Sequence, residues 1–253
     1  MMTRLWKTGI SAAILALLAA CGGDDDDPAD TPTGATPTAG ARQFTTDFKQ
    51  GMDGWVAGTS DYTLETAPTE VVAEQRSTAS LNLGLAAESK ALFLSARNNS
   101  DDAFMYVRKQ LTGFAANTSY TVAYSVNLLS NAPSGCMGVG GSPGESVWVV
   151  AGASPAEPKA VTENGTVKFS VDKGNQAGAG ATSVILGTLA NGQACVQNPP
   201  YAAKLYRYVT GPAVKADAEG KLWIYVGIDS GFEAATGVYL QSVTTYFTPV
   251  TAT

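Results

Sequence analysis

Thr118-Ser119-Tyr120-Thr121-Val122-Ala123-Tyr124-Ser125-Val126-Asn127-Leu128 is the stretch that decides the fold. Tyr120, Val122, Tyr124, Val126 and Leu128 fall on one side of an extended chain, and Thr121, Ala123, Ser125 and Asn127 on the other. That period of two belongs to a strand with one buried face. Lys221 to Asp229 repeats it, setting Leu222, Ile224, Val226 and Ile228 against Trp223, Tyr225, Gly227 and Asp229. Further strands are expected at Phe44–Phe48, Tyr62–Thr66, Ser80–Leu85, Ala91–Ala96, Phe104–Leu111 and Ser146–Ala151. Others are expected at Thr166–Val171, Ser183–Leu189, Lys204–Thr210 and Gly237–Phe247. Turn signals separate them at Asn117, Asn164-Gly165, Asn191-Gly192, Gly211-Pro212 and Glu219-Gly220. No segment carries a helical stripe over three turns. This spacing predicts an all-β, two-sheet antiparallel sandwich or jelly roll over 43–253.

The N-terminus reads differently. Arg4 and Lys7 precede an apolar run from Ile10 to Ala20, a length suited to a secretory signal and too short to span a bilayer. It ends in Leu18-Ala19-Ala20-Cys21, which resembles the lipobox of bacterial lipoproteins. The resemblance implies a signal peptide at 1–20, cleavage before Cys21, and lipid attached to Cys21 as the membrane anchor. Gly22, where retained lipoproteins carry Asp, points to the outer membrane. Asp24 to Asp27 and the Thr, Pro, Ala and Gly residues that follow make 21–42 an extended, self-repelling tether. The acidic run also resembles the surface-export tether of some Gram-negative lipoproteins, so a periplasmic and a surface-facing location both remain open.

Composition removes whole classes of function. The chain of 253 residues has a formal net charge of −6, and only 15% of its residues are charged. No basic patch for nucleic acid can be assembled from it. It contains no histidine, which removes Ser-His-Asp and Cys-His catalysis and the commonest zinc ligand. Beyond Cys21, two cysteines remain, Cys136 and Cys195. In an oxidising compartment they are expected to pair, closing a loop of about 60 residues for a gain on the order of 4 kcal/mol.

Three segments resemble carbohydrate-binding-type jelly rolls. They are the opening Asp47-Phe48-Lys49-Gln50-Gly51-Met52-Asp53-Gly54-Trp55, the turn-and-strand Asn117 to Val122, and the closing Val238-Tyr239-Leu240-Gln241-Ser242-Val243. Such domains often carry Asp where Gln241 stands, so a calcium site carried over from them lacks a ligand here. Asp47 and Asp53, with Asp101 and Asp102, remain weak candidates for a structural calcium; no other cofactor is expected. Asn98 to Asp102, Gly140 to Ser146 and Asp229 to Glu233 resemble an uncharacterised family of bacterial lipoproteins.

The expected function is a non-catalytic, envelope-anchored glycan-binding module. A structural or protein-interaction lipoprotein is the alternative, and a carboxylate-dependent glycosidase or lyase using two of Glu145, Asp229 and Glu233 comes third. The expected ligand-binding residues are Trp223, Tyr225 and Asp229 on one strand, and Tyr206 and Tyr208, beside Lys204, on another. Phe104, Tyr106 and Arg108 form a similar face. Aromatic faces stack on sugar rings while neighbouring polar groups take the hydroxyls. The competing reading makes these rings core, buried by long loops over the outside of the sheet. Trp55 is expected in the core. Gly138 to Gly144 lacks the Gly-Lys-Ser/Thr ending of a phosphate loop and reads as a shaped loop held by Cys136.

Overall fold

A computed structural model describes residues 39–251, and within them the domain is an antiparallel β-sandwich of jelly-roll type. The expected signal peptide, Cys21 and most of the expected tether lie outside the described residues. The larger sheet runs β14 (Ala202–Thr210), β7 (Ser119–Ser130), β17 (Ala235–Pro249), β5 (Lys90–Arg97), β4 (Thr69–Ser77). β1 (Arg42–Asp47) lies beside the C-terminal half of β17, and β15 (Val214–Lys215) beside the start of β7. The second sheet runs β13 (Ser183–Thr188), β8 (Val147–Ser154), β16 (Leu222–Ser230), β6 (Ala103–Leu111), β2 (Val56–Ser60).

The alternation read from the sequence places the core between these sheets. Tyr120, Val122, Tyr124, Val126 and Leu128 of β7 face Leu222, Ile224, Val226 and Ile228 of β16 across one hydrophobic cluster. Trp55 joins it, 4% exposed, with its indole N–H donating to Thr46 Oγ1 at 3.0 Å. A ring in that position fills volume and still satisfies its one polar atom.

A third layer lies outside the second sheet. It consists of β3 (Tyr62–Thr63), β10 (Thr166–Phe169) and β9 (Ala160–Glu163), followed by the hairpin β11 (Gly174–Asn175) and β12 (Gly178–Ala179). Phe169 and Val171 from this layer pack on Phe104, Tyr106, Val150 and Tyr225. The second sheet is therefore apolar on both faces. Simple alternation along β16 and β6 does not reveal this, because Tyr and Trp occur on exposed and buried strand faces alike.

Two expected strands differ. Ser80–Leu85 alternates Leu81, Leu83 and Leu85, but Ala79–Leu81 is a 3-10 turn and Asn82 and Gly84 take φ of 56° and 66°. Left-handed residues at every second position break any strand; Leu81 and Leu83 cap a small satellite cluster instead, and Leu85 is exposed. Tyr62–Thr66 is extended only at Tyr62–Thr63. Thr63 and Thr66 then exchange side-chain and backbone hydrogen bonds in a capping box that winds Leu64–Thr66 into a 3-10 turn. β4 went unanticipated because Glu70, Glu74, Gln75 and Arg76 make it polar. It is an edge strand whose side chains meet solvent.

Candidate functional site

The outer face of the larger sheet presents an ordered strip of hydrogen-bonding side chains. Register places Gln43, Tyr246 and Ala123 in one cross-strand row, Thr45, Thr244 and Ser125 in the next, and Asp47, Ser242 and Asn127 in the third. Thr45 and Thr244 hydroxyls lie 3.1 Å apart, and Asn127 Nδ2 donates to Ser242 Oγ at 3.1 Å. β-branched threonine satisfies strand preference while leaving a hydroxyl in solvent. Three rows over three strands cover roughly 14 Å along the strands by about 10 Å across them. The third row opens into a cleft of about 240 Å³ lined by Lys49, Thr78, Ser89, Lys90 and Gln241 as well.

An aromatic platform closes the other end of this strip. β14 pairs regularly with β7 up to Tyr206, then slips by a bulge before Val209. Tyr206 points into the sandwich, 8% exposed, its hydroxyl donating to Thr188 O at 2.7 Å. Burial pushes its phenol well above the ordinary range. Tyr208 sits in the bulge with φ of 50°, its N–H donating to Ser125 Oγ at 3.0 Å. Its ring turns outward, 60% exposed, with its centroid 5.0 Å from that of Tyr246 at a 50° tilt. A bulky residue held left-handed is strained, and such strain concentrates at binding sites. Expected partners Tyr206 and Tyr208 thus part company: the bulge, invisible in the sequence, sends them to opposite faces. Lys204 follows Tyr206 inward, donating to Thr188 O at 2.7 Å, and burial pulls its ammonium downward.

The face holding Trp223, Tyr225 and Asp229 is not an open groove. Tyr225 is fully buried between Phe104 and Phe169, with its hydroxyl 2.9 Å from Thr182 Oγ1. Burial pushes its phenol up. Phe104 and Tyr106 share that fate under the third layer. Trp223 remains partly exposed, lying against Arg108, whose guanidinium carbon is 5.5 Å from the ring centroid. Arg108 in turn pairs with Glu157. Tyr225 is therefore core, and Trp223 lies partly exposed at the end of the same face.

Asp229 lies beneath the third layer in a charged cluster. Its side chain is 1% exposed, and Oδ2 accepts from Lys173 Nζ at 2.8 Å and Gln176 N at 2.6 Å. Lys173 Nζ also pairs with Asp61 Oδ2 at 3.0 Å, and Asp61 Oδ1 accepts the Phe169 N–H at 3.0 Å. Asp102 completes the group: one oxygen from each of Asp61, Asp102 and Asp229 lies within 4.8 Å of the others. Burial and then the neighbouring Asp229 charge push the Asp102 carboxyl up to about 8, against a downward pull from Lys173. For Lys173, burial acts downward, but Asp229 and Asp61 outweigh it and the net is upward. Asp61, Asp102 and Lys173 line a solvent-open cavity of about 550 Å³.

No protein family matches the chain, and no curated protein matches it. Solved structures similar to it include TmCBM27, described as a carbohydrate-binding module in specific mannan recognition, at 10% identity. That likeness covers 81% of this chain and 98% of that one, with a TM-score of 0.36. TmCBM61, solved in complex with β-1,4-galactotriose, is 10% identical over 78% of this chain and 92% of its own, at a TM-score of 0.33. A family 11 carbohydrate-binding module from Clostridium thermocellum, in complex with a β-1,3-1,4-mixed-linked tetrasaccharide, is 10% identical over 83% and 96%, at 0.32.

Asn98 to Asp102, Gly140 to Ser146 and Asp229 to Glu233 meet in space. Asn98 Nδ2 donates to Ser230 O at 2.8 Å and Phe232 O at 3.2 Å, and Gly231 N donates to Ser146 O at 2.9 Å. Cys136 and Cys195 are joined, with Cα atoms 5.3 Å apart. The glycine-rich loop next to Cys136 is held further by Glu145, which accepts from Gly135 N at 3.0 Å and from the Ser142 hydroxyl. Glu145 and Glu233 are not among the carboxylates clustered with Asp229, whose acidic neighbours are Asp61 and Asp102. Asp47 and Asp53 hold local structure. Asp47 Oδ1 accepts Lys49 N at 2.9 Å, and Asp53 Oδ2 takes Lys109 Nζ at 2.6 Å and Thr46 Oγ1 at 2.7 Å. The Lys109 and Thr46 hydrogen bonds hold the Asp53 carboxyl below its usual range.

Proposed function

We propose that this domain binds a glycan along the outer face of its larger sheet, without catalysis. The carrying observation is Tyr208, strained at positive φ and turned outward beside Tyr246 at one end of a hydroxyl- and amide-lined strip. An exposed ring stacks on the apolar face of a sugar, and Ser, Thr, Asn and Gln side chains both donate to and accept from its hydroxyls. The three rows are uncharged except at the cleft, where Asp47, Lys49 and Lys90 stand, and Arg207 is exposed next to Tyr208. That balance suits a neutral polysaccharide more than a polyanion. The anchor in this proposal is lipid on Cys21, which would hold the domain at the outer membrane on a flexible tether.

The test is a glycan array probed with the full chain, followed by titration with Tyr208→Gly. Glycine tolerates the positive φ, so this change removes the ring while relieving the backbone. Binding is expected to weaken by about 1–2 kcal/mol, roughly 5- to 30-fold, with the unfolding midpoint unchanged or raised. A wild-type chain that binds no glycan, or a variant that binds as well as wild type, refutes the proposal.

A protein-binding role has its own observation. Met137, Val139 and Val196 are 97%, 67% and 54% exposed on the segments joined by the disulfide. Exposed apolar side chains gathered on one loop cluster suit a protein partner better than a sugar. Loss of a co-purifying envelope protein on Met137→Ser, with glycan binding intact, would support that second reading.

A further inference from the structure

We propose that Asp61, Asp102 and Asp229 form a calcium site at the floor of the cavity between the second sheet and its covering layer. Three observations carry it. The first is spacing. Two oxygens on one cation at the Ca–O distance of about 2.3–2.6 Å are at most about 5 Å apart. One oxygen from each carboxylate lies within 4.8 Å of the others, inside that span.

The second is an unsatisfied buried atom. Asp229 is 1% exposed, and its Oδ1 has no hydrogen-bond partner although Oδ2 has two. Asp102 Oδ1 is likewise sealed from solvent, and its carboxyl meets that of Asp229, so only a proton or a cation between them satisfies both. A buried acceptor left unpaired costs about 1–3 kcal/mol, more when charged, and calls for a partner. A cation beside both oxygens supplies one.

The third is charge. With all three carboxylates ionised, as they would be on a cation, the single Lys173 ammonium leaves two negative charges beside the Phe104 ring. One divalent cation brings that sum to zero. All the donors are oxygen, which selects a hard cation over zinc or copper. The open cavity admits the ion and the waters that complete its coordination.

The site would act as a staple. Asp61 lies in the turn between β2 and β3, Asp102 in the turn between β5 and β6, Lys173 before β11, and Asp229 within β16. A cation here fastens the covering layer to the sheet beneath it. It lies on the second sheet, away from the glycan strip, so its test is independent of the proposed function.

The experiment is thermal unfolding of the EDTA-stripped full chain, titrated with CaCl2 or MgCl2. At calcium about 100-fold above its Kd the midpoint is expected to rise by about 5–10 °C, with a smaller effect of magnesium. Asp102→Asn and Asp61→Asn should weaken the calcium response at least about tenfold, while Asp53→Asn leaves it intact. Tb3+ luminescence excited through tyrosine gives a second readout, displaced by calcium in wild type and absent in Asp102→Asn. A wild-type midpoint indifferent to calcium overturns the proposal. So does a calcium shift retained in both Asp102→Asn and Asp61→Asn, or terbium binding unchanged by Asp102→Asn.

Discussion

Replacing Asp102 with Asn measures how hard the covering layer presses on its charges. In metal-free conditions the Asp102 carboxyl is pushed up to about 8, first by burial and then by Asp229. In the unfolded chain the same group titrates near about 3.9. Between those values the native protein holds a proton that the unfolded chain has released, so stability falls as pH rises. The contribution is intact below the unfolded value and is lost progressively up to about 8, at up to about 1.4 kcal/mol per pH unit. From pH 5 to pH 7 the full cost comes to about 2.7 kcal/mol. Asp102 borders a solvent-open cavity, and screening there reduces the expected figure to about 1–3 kcal/mol. Asn carries no ionisable proton and keeps nearly the same volume. Its stability relative to wild type should therefore improve by about 1–3 kcal/mol over that range. Urea melts of both proteins in EDTA at pH 5, 6 and 7 read this directly. A stability of Asn relative to wild type that stays constant with pH would refute the reasoning, and one that falls as pH rises would reverse its sign.

The remaining predictions concern the fold and the anchor. Ile224→Ala should cost about 2–5 kcal/mol, since Ile224 is 2% exposed between the two sheets. Trp223→Ala, on the rim beside Arg108, should cost less, about 1–2 kcal/mol; equal losses in paired urea melts would show that Trp223 is as much core as Ile224. Cys21→Ala should abolish lipid labelling and release the chain from membranes, and normal retention of the variant would remove the lipid anchor from the proposed function.

Period-two alternation was enough to place the sandwich core, because a strand with one wet face must alternate, as β7 does, and the face of β16 that meets it is wholly aliphatic. The absence of histidine excluded imidazole chemistry before any geometry was known, and the pair Cys136–Cys195 followed from count alone. Sequence resemblance also drew attention to Asn98 to Asp102 and Asp229 to Glu233, without indicating that these segments touch. What alternation cannot carry is the identity of whatever covers a strand's second face. Tyr225 and Tyr208 look alike in the sequence, each a tyrosine inside a strand, followed by valine and two residues after another aromatic ring. Only the third layer, built from residues about 50 positions before Tyr225, buries the first, and only a bulge of β14 against β7 exposes the second. Asp61, Asp102, Lys173 and Asp229 come from four turns and strands with no common spacing. Their meeting depends on sheet order and on how the covering layer folds back, long-range contacts that no local pattern of residues encodes.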